Sequence, residues 1–204
     1  DRRTKAVRYD GVIARATKQL AIRSARNGLP GVNVWHSSPV FESLPGVFPD
    51  SSATGHLCAD HLLSRGFRNF AVVTSPRNRA ATIELQQFRR LITETGYACQ
   101  TANVPQRIDR TVADWRRTEQ TLAKWMDSWQ LPIGVRSISE QTGRLIVQMC
   151  RERGWRVPAD VAIIAGSNEE TLCENPRPSL TSVEIGHERI GYESARLLDQ
   201  LMDE

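Results

Sequence analysis

The pattern of apolar and polar positions alternates between short apolar runs and longer amphipathic stretches. The most informative run covers residues 161–165, VAIIA, which is too short for a free helix and lies between Pro158 and Gly166. Such a run is typical of a strand that is buried on both faces of a parallel sheet. A polar turn follows it, where the carboxyl end of the strand would meet solvent. In open α/β sheets, ligands bind beyond these strand ends.

The same alternation extends over most of the chain. Thr17 and Asp50 are of the residue types that cap helix N-termini. The predicted strands are 12–14, 31–35, 70–73, 133–138, 161–165 and 180–183, and the predicted helices are 17–26, 50–65, 81–92, 111–129, 140–153 and 188–201. The stretch 99–110 is polar, and we expect only a short strand near Val104 there. Repeated strand–helix alternation predicts parallel sheets with right-handed crossovers.

Composition places the chain among ordinary globular proteins. Hydrophobic residues make up 40% and charged residues 25% of its 204 residues. No apolar stretch approaches the roughly 20 residues that a membrane-spanning helix needs. The first ten residues are charged and no apolar segment follows, so we expect no signal peptide there. The four cysteines are far apart and form no CxxC pattern, which predicts reduced thiols and a cytoplasmic location.

The positive charge of the chain is a weak indication of nucleic-acid binding. The net charge is +4 and the isoelectric point is about 9.1. The arginines, however, occur in scattered pairs that alternate with acids on predicted helices, as they do on solvated faces. Recognisable DNA-binding motifs are absent. We therefore expect no DNA contact from this part of the chain.

No pattern for catalysis, a cofactor or a metal is found. The chain has no GxGxxG, GxxxxGK[ST] or GxSxG motif, and its four histidines lack metal spacing. His56 and Asp60 would share a helix face, which favours a solvated pair over a catalytic couple. Trp115 and Trp129 lie on one stripe, which favours core or a partner surface over a stacking platform. We predict no catalytic residue, no cofactor and no metal ligand.

Three polar positions fall just beyond predicted strands or at the start of the next helix. They are Glu84, Ser139–Glu140 and Ser167–Asn168. Sugar hydroxyls are both donors and acceptors, and carboxylates and amides pair with them in fixed geometry. Each position alone would equally suit a helix cap or a first-turn acid. We add Asp50 and Arg15 to these candidate ligand-binding residues.

Five sequence segments resemble those of a known family. They are DGVIARA at 10–16, LPGVFPDSSATGHLCADHLLSRGFRNFAVV at 44–73, and VPADVAIIAGSNEE, PRPSLTSV and IGYESARLLDQLM in the C-terminal part. Together they resemble the sugar-responsive transcription regulators of the lac/gal repressor type, in particular the xylose-operon regulator branch. The resemblance covers nearly the whole chain, although no single segment would identify the family alone.

This resemblance implies a fold class: an α/β, two-lobe, periplasmic-binding-protein-like fold of type I with parallel sheets. It places the N-terminal lobe at 1–49 plus 184–204 and the C-terminal lobe at 50–183. Regulators of this kind have a strand, a helix and a strand before the position of Asp10. We therefore expect the first lobe to be incomplete at its N-terminus.

The resemblance also implies a function, that of a domain that senses a sugar or sugar-like effector such as a pentose or related polyol. Lobe closure would be relayed to a separate helix-turn-helix domain, so that DNA is contacted only through a domain absent from this chain. A cytoplasmic homodimer without membrane contact is implied. A periplasmic sugar-binding transport protein is the alternative, and a small α/β enzyme using Glu84 and Glu140 is a third.

Three polar positions depart from the family pattern. Similar regulators have an arginine where this chain has Glu84, an Asn-Asp or Thr-Asp pair at Ser139–Glu140, and a sugar-gripping aspartate at Ser167. Replacing arginine by glutamate exchanges a donor fork for an acceptor. We predict a pocket retuned toward a ligand with donors or positive charge, or one that has lost small-molecule binding.

Overall fold

The computed structural model describes residues 9–75, 78–104 and 111–203. The elements are, in chain order, β1 Val12–Ala14, α1 Lys18–Arg26, β2 Gly31–Asn33, α2 Ser51–Ser64, β3 Asn69–Thr74, α3 Arg79–Glu94, β4 Cys99–Asn103, α4 Val112–Met126, β5 Ile133–Ser137, α5 Glu140–Glu152, β6 Val161–Ala165, α6 Glu170–Glu174 and α7 His187–Met202. All paired strands are parallel within these residues, so the predicted α/β class with parallel sheets is confirmed.

The chain divides into two compact units, which we call unit 1 and unit 2. Unit 1 consists of Asp1–Pro49 and Gly186–Glu204, and unit 2 of Asp50–Ile185. The sequence-based division, 1–49 plus 184–204 and 50–183, places the second crossing two residues earlier. The assignment of the units to the two lobes of a larger fold stays a prediction.

Unit 1 contains a two-stranded sheet formed by β1 and β2. Ile13 is paired with Val32, and Asn33 also forms a parallel bridge with Gly46. The predicted cap of α1 is present, because the Thr17 hydroxyl accepts a hydrogen bond from the Leu20 amide. α7 packs on both strands of this sheet.

Unit 2 contains a four-stranded sheet in the order β4–β3–β5–β6. Thr181 extends it by one bridge to Ile164, where the sequence had predicted a full strand over 180–183. The connection from β3 runs outward to β4, while β5 lies on the opposite side of β3. The strand order therefore reverses between β3 and β5, and the carboxyl ends of strands beside such a switch point are where open α/β sheets bind ligands.

The core of unit 2 lies on both faces of this sheet. One face packs against Leu122 and Met126 of α4 and Leu145 of α5, all essentially inaccessible to solvent, and the other against Phe88 and Ile92 of α3. Because both faces are covered, β5 and β6 are buried at every position. This burial is the physical reason for the apolar run at 161–165.

The strand expected near Val104 is present as β4, which covers Cys99–Asn103 and is longer than its polar sequence, CQTAN, indicated. It is polar because it is an edge strand whose residues are mostly accessible, so that burial imposes no apolar pattern on it. The remainder of the stretch, 105–110, lies outside the described residues. In α2, Leu57 is 56% exposed although it is apolar, while the polar residue Thr54 is buried.

Helices α2 and α3 approach each other closely at a glycine. A Cβ atom built on Gly55 would lie 2.2 Å from the backbone oxygen of Glu84. Since a backbone atom cannot rotate away, a side chain at this position would force the two helices apart. Gly55 therefore fixes the position from which Glu84 extends toward the sheet.

Substitution of two helical glycines should have opposite effects on stability. We expect Gly55→Ala to lower the free energy of unfolding by about 1–3 kcal/mol through overpacking. Gly191→Ala in α7 is the matched control, because no atom lies within 4 Å of its added Cβ. It should stabilise the helix by about 0.5–1 kcal/mol. Urea denaturation followed by circular dichroism measures both, and equal effects would contradict the close contact.

Candidate ligand-binding site

The turn that follows β6, residues 166–169, is held by a buried carboxylate. Glu140, at the start of α5, is 6% exposed, and its Oε1 accepts hydrogen bonds from the backbone amides of Ser167 at 2.8 Å and Glu169 at 3.1 Å. Gly166 has a φ of 60°, and a Cβ there would lie 1.8 Å from the Glu140 carboxyl carbon. Only glycine combines this φ with the close approach of Glu140.

Asn168 is fixed in an unusual conformation within the same turn. It is the only non-glycine residue with a positive φ, 71°, among the described residues. Its Oδ1 accepts a hydrogen bond from the Ser182 hydroxyl at 2.8 Å, and its Nδ2 donates one to Glu184 Oε2 at 3.0 Å. The side-chain amide is thus oriented by the segment that follows the proline-rich crossing.

Ser139 caps α5 at the carboxyl end of β5. Its hydroxyl accepts a hydrogen bond from the Thr142 amide at 3.2 Å and donates one to the Thr142 hydroxyl at 3.0 Å. Ser137 reinforces this bend, because its hydroxyl donates to the Ser139 carbonyl oxygen at 3.0 Å. The capping role that the sequence left open is therefore present, and a ligand-binding role of Ser139 stays a prediction.

Glu84 forms an ion pair inside unit 2. Its Oε1 lies 2.5 Å from Nε of Arg136 on β5, and the two side chains are 13% and 4% exposed. The Arg136 guanidinium also donates to three carbonyl oxygens: Nη1 to Ser137 and to Ile164 (3.3 Å), and Nη2 to Gly166 (3.1 Å). One side chain therefore connects α3, the ends of β5 and β6, and the turn 166–169.

The Arg136 guanidinium is charged. Burial is the largest influence on its pKa and acts to lower it, but the surrounding groups, Glu84 foremost among them, together outweigh burial and raise the pKa. The neighbouring Cys58 thiol is neutral, since burial raises its pKa to about 11. Removal of only one partner of such a buried pair strongly destabilises the folded protein, because the other charge is left without a counter-charge.

The structure brings together most of the sequence-predicted site residues but not all. Glu84, Ser139, Glu140, Ser167 and Asn168 surround the carboxyl ends of β5 and β6 in unit 2. The other two predicted residues lie away from these strand ends. Asp50 caps α2 by accepting from the Ala53 amide at 2.8 Å, and Arg15 of unit 1 lies 5.0 Å above the Trp35 ring.

Sequence reasoning missed Arg136. The available signal was a single arginine inside the apolar strand IGVRS, because a fully buried arginine requires a counter-charge. The identity of that partner, 52 residues away in sequence, is not encoded locally.

Two grooves in unit 2 lie apart from these residues. One, of about 440 Å³, is bounded by α3 and by Thr74, Ser75 and Asn103; the other, of about 500 Å³, by Trp115, α5 and Pro176–Arg177. Neither is lined by a predicted site residue. Across the described residues, no group of three or more His, Cys, Asp or Glu could hold a metal ion, and no helix is long and apolar enough to cross a membrane.

A parallel sheet with a switch point and polar turns at its strand ends is the architecture in which α/β proteins bind ligands. Consistently, the chain belongs to the family of periplasmic binding protein-like domains, whose model matches residues 59–204. The resemblance to xylose-operon-type regulators is confirmed. The chain is 30% identical over 201 residues to the xylose operon regulatory protein of Escherichia coli K12, covering 95% of this chain and 50% of that protein.

Solved structures agree with this assignment. The structure of the xylose-binding transcription activator xylR superposes with a TM-score of 0.75 and 26% identity, over 95% of this chain and 52% of the other. A LacI family regulator from Enterococcus faecium with bound ribose, 20% identical, shares the fold with a TM-score of 0.77, over 95% and 71%. This chain spans about half the length of the curated relatives that it matches over 201 residues.

Variants of Asn168 should separate backbone strain from side-chain bonding. Asn168→Gly and Asn168→Ala both lose the hydrogen bonds to Ser182 and Glu184, but only glycine adopts the positive φ freely. We therefore expect Asn168→Ala to be less stable than Asn168→Gly by about 1 kcal/mol. Urea denaturation measures the difference. Equal stability of the two variants would mean that the turn relaxes to another conformation.

Proposed function

We propose that this chain is the ligand-sensing domain of a DNA-binding transcription regulator, and that its effector is a sugar or a sugar-like molecule. The observation that carries the proposal is the set of polar turns at the carboxyl ends of β5 and β6, in a chain of the periplasmic binding protein-like family. Its curated relative from E. coli is a xylose operon regulatory protein, which supports regulation rather than transport.

The chemistry of the turns suits a polyhydroxylated ligand. Ser139, Ser167 and Asn168 carry groups that both donate and accept, as sugar hydroxyls do, and Glu140 is a fixed acceptor. Because the turn 166–169 is already held by hydrogen bonds, a ligand would pay little to order it. A pentose or related polyol is the ligand class that we favour.

The regulatory mechanism follows from differential binding. A ligand that binds one arrangement of the two lobes more tightly shifts the population toward it. In our proposal this population shift is relayed to a separate helix-turn-helix domain. The regulator would act as a cytoplasmic homodimer. An enzyme finds less support, because the relatives that the chain matches are named as transcription regulators.

Thermal-shift titration with D-xylose, D-ribose and D-glucosamine tests the sensing role. A ligand at 100 times its dissociation constant should add about 2.7 kcal/mol to the free energy of unfolding. L-xylose is the matched control, since its general co-solvent effect on stability equals that of D-xylose. Equal shifts with both enantiomers, and none with the other sugars, would contradict the proposal.

Ser167→Ala should then weaken the sugar that binds, by about 1 kcal/mol or more, if the hydroxyl contacts it. Its backbone amide, which Glu140 holds, is retained in this variant, so the fold should be unaffected. Isothermal titration calorimetry measures the affinity. Unchanged affinity would remove Ser167 from the site.

A further inference from the structure

The stability of the folded protein does not require a charged residue at the position of Arg136. The other residues of β5 are apolar or small and fully buried. Replacement of a buried ion pair by apolar residues of similar volume is often neutral or stabilising. The pair with Glu84 therefore does not by itself account for an arginine at this point of the sheet.

The contacts of the guanidinium lie at the candidate site. Its three carbonyl partners belong to Ser137, the last residue of β5, to Ile164 near the end of β6, and to Gly166 in the turn. Ser137 O additionally accepts the Gly166 amide at 3.0 Å. The end of β5 and the first residue of the turn are thus joined both directly and through Arg136.

Glu140 holds the turn through its amides. Arg136 fixes a carbonyl oxygen before Ser167, and Glu140 fixes the amides of Ser167 and Glu169. The peptide plane between Gly166 and Ser167 is therefore held at both of its polar atoms by charged groups of the protein, and the plane between Asn168 and Glu169 is held by Glu140. The direction in which Ser167 and Asn168 extend depends on these planes.

We propose that Arg136 is a positioning residue of the ligand site, which fixes the turn 166–169 against β5, and that Glu84 is its counter-charge rather than a ligand contact. The ligand part of this inference rests on the proposed function. Glu84 suits the supporting role because its side chain is 13% exposed and its Oε1 is bound to Arg136.

Three variants separate positioning from ion pairing. Arg136→Met leaves Glu84 unpaired in the interior and should unfold at a lower urea concentration. The double variant Arg136→Met/Glu84→Leu removes both charges and should recover the wild-type midpoint. Arg136→Lys keeps a positive charge for Glu84 but lacks the planar fork that contacts three carbonyl oxygens, and it should retain a near-wild-type midpoint.

Amide hydrogen exchange without ligand gives the readout that a purely structural pair would not change. In the double variant and in Arg136→Lys, the amides of Gly166, Ser167 and Glu169 should exchange at least tenfold faster than in the wild type. The amides of Val72 and Val73 in β3 are the internal reference and should not change. Wild-type exchange at the turn in Arg136→Lys would overturn the proposal, also if the double variant failed to fold.

Affinity for the sugar that the wild type binds, among D-xylose, D-ribose and D-glucosamine, completes the test. Arg136→Lys should bind it at least tenfold more weakly. Faster exchange with unchanged affinity would refute the positioning role while leaving the sensing function intact. If the wild type binds none of the three sugars, the sensing function fails, and the exchange rates still decide whether Arg136 holds the turn.

Discussion

A buried charge must be neutralised where it lies, and this constraint organises one end of unit 2. The Arg136 guanidinium satisfies it with one carboxylate and three carbonyl oxygens. Carbonyl groups at the carboxyl ends of parallel strands are suitable partners because several of them converge there. The same requirement fixes Glu84, since α3 must approach the sheet closely enough for its side chain to reach β5.

The close approach of α3 depends in turn on Gly55. The glycine in α2 contacts the backbone of Glu84, so the helix pair is tight at the level of the ion pair. A charge in the sheet, an acid on a helix and a glycine on the neighbouring helix therefore form one consistent arrangement. None of the three is explained by the local preference of its own element.

Local patterns predicted the buried elements well because burial on both faces of a sheet requires apolar residues. β6 was predicted with its observed bounds for this reason. β1 was also predicted with its bounds, although Ile13 is 41% exposed, and Thr17, Asp50 and Ser139 precede helices as their residue types predict. The extent of β4 was underestimated for the converse reason, because its residues are mostly accessible and its sequence is polar. Strand ends could also be anticipated as the place of the polar turns, since parallel strands end at a common edge.

The element that carries the buried positive charge, β5 instead of α3, could not be predicted from the sequence. Related regulators are expected to carry an arginine at the position of Glu84, whereas here the arginine extends from β5 and the glutamate from α3. A positive charge lies near the strand ends, and four hydrogen bonds of its guanidinium are made to the protein itself. Its donors are therefore largely unavailable to a ligand. What remains around the turn are hydroxyls and an amide, which both donate and accept, and carboxylates, which only accept.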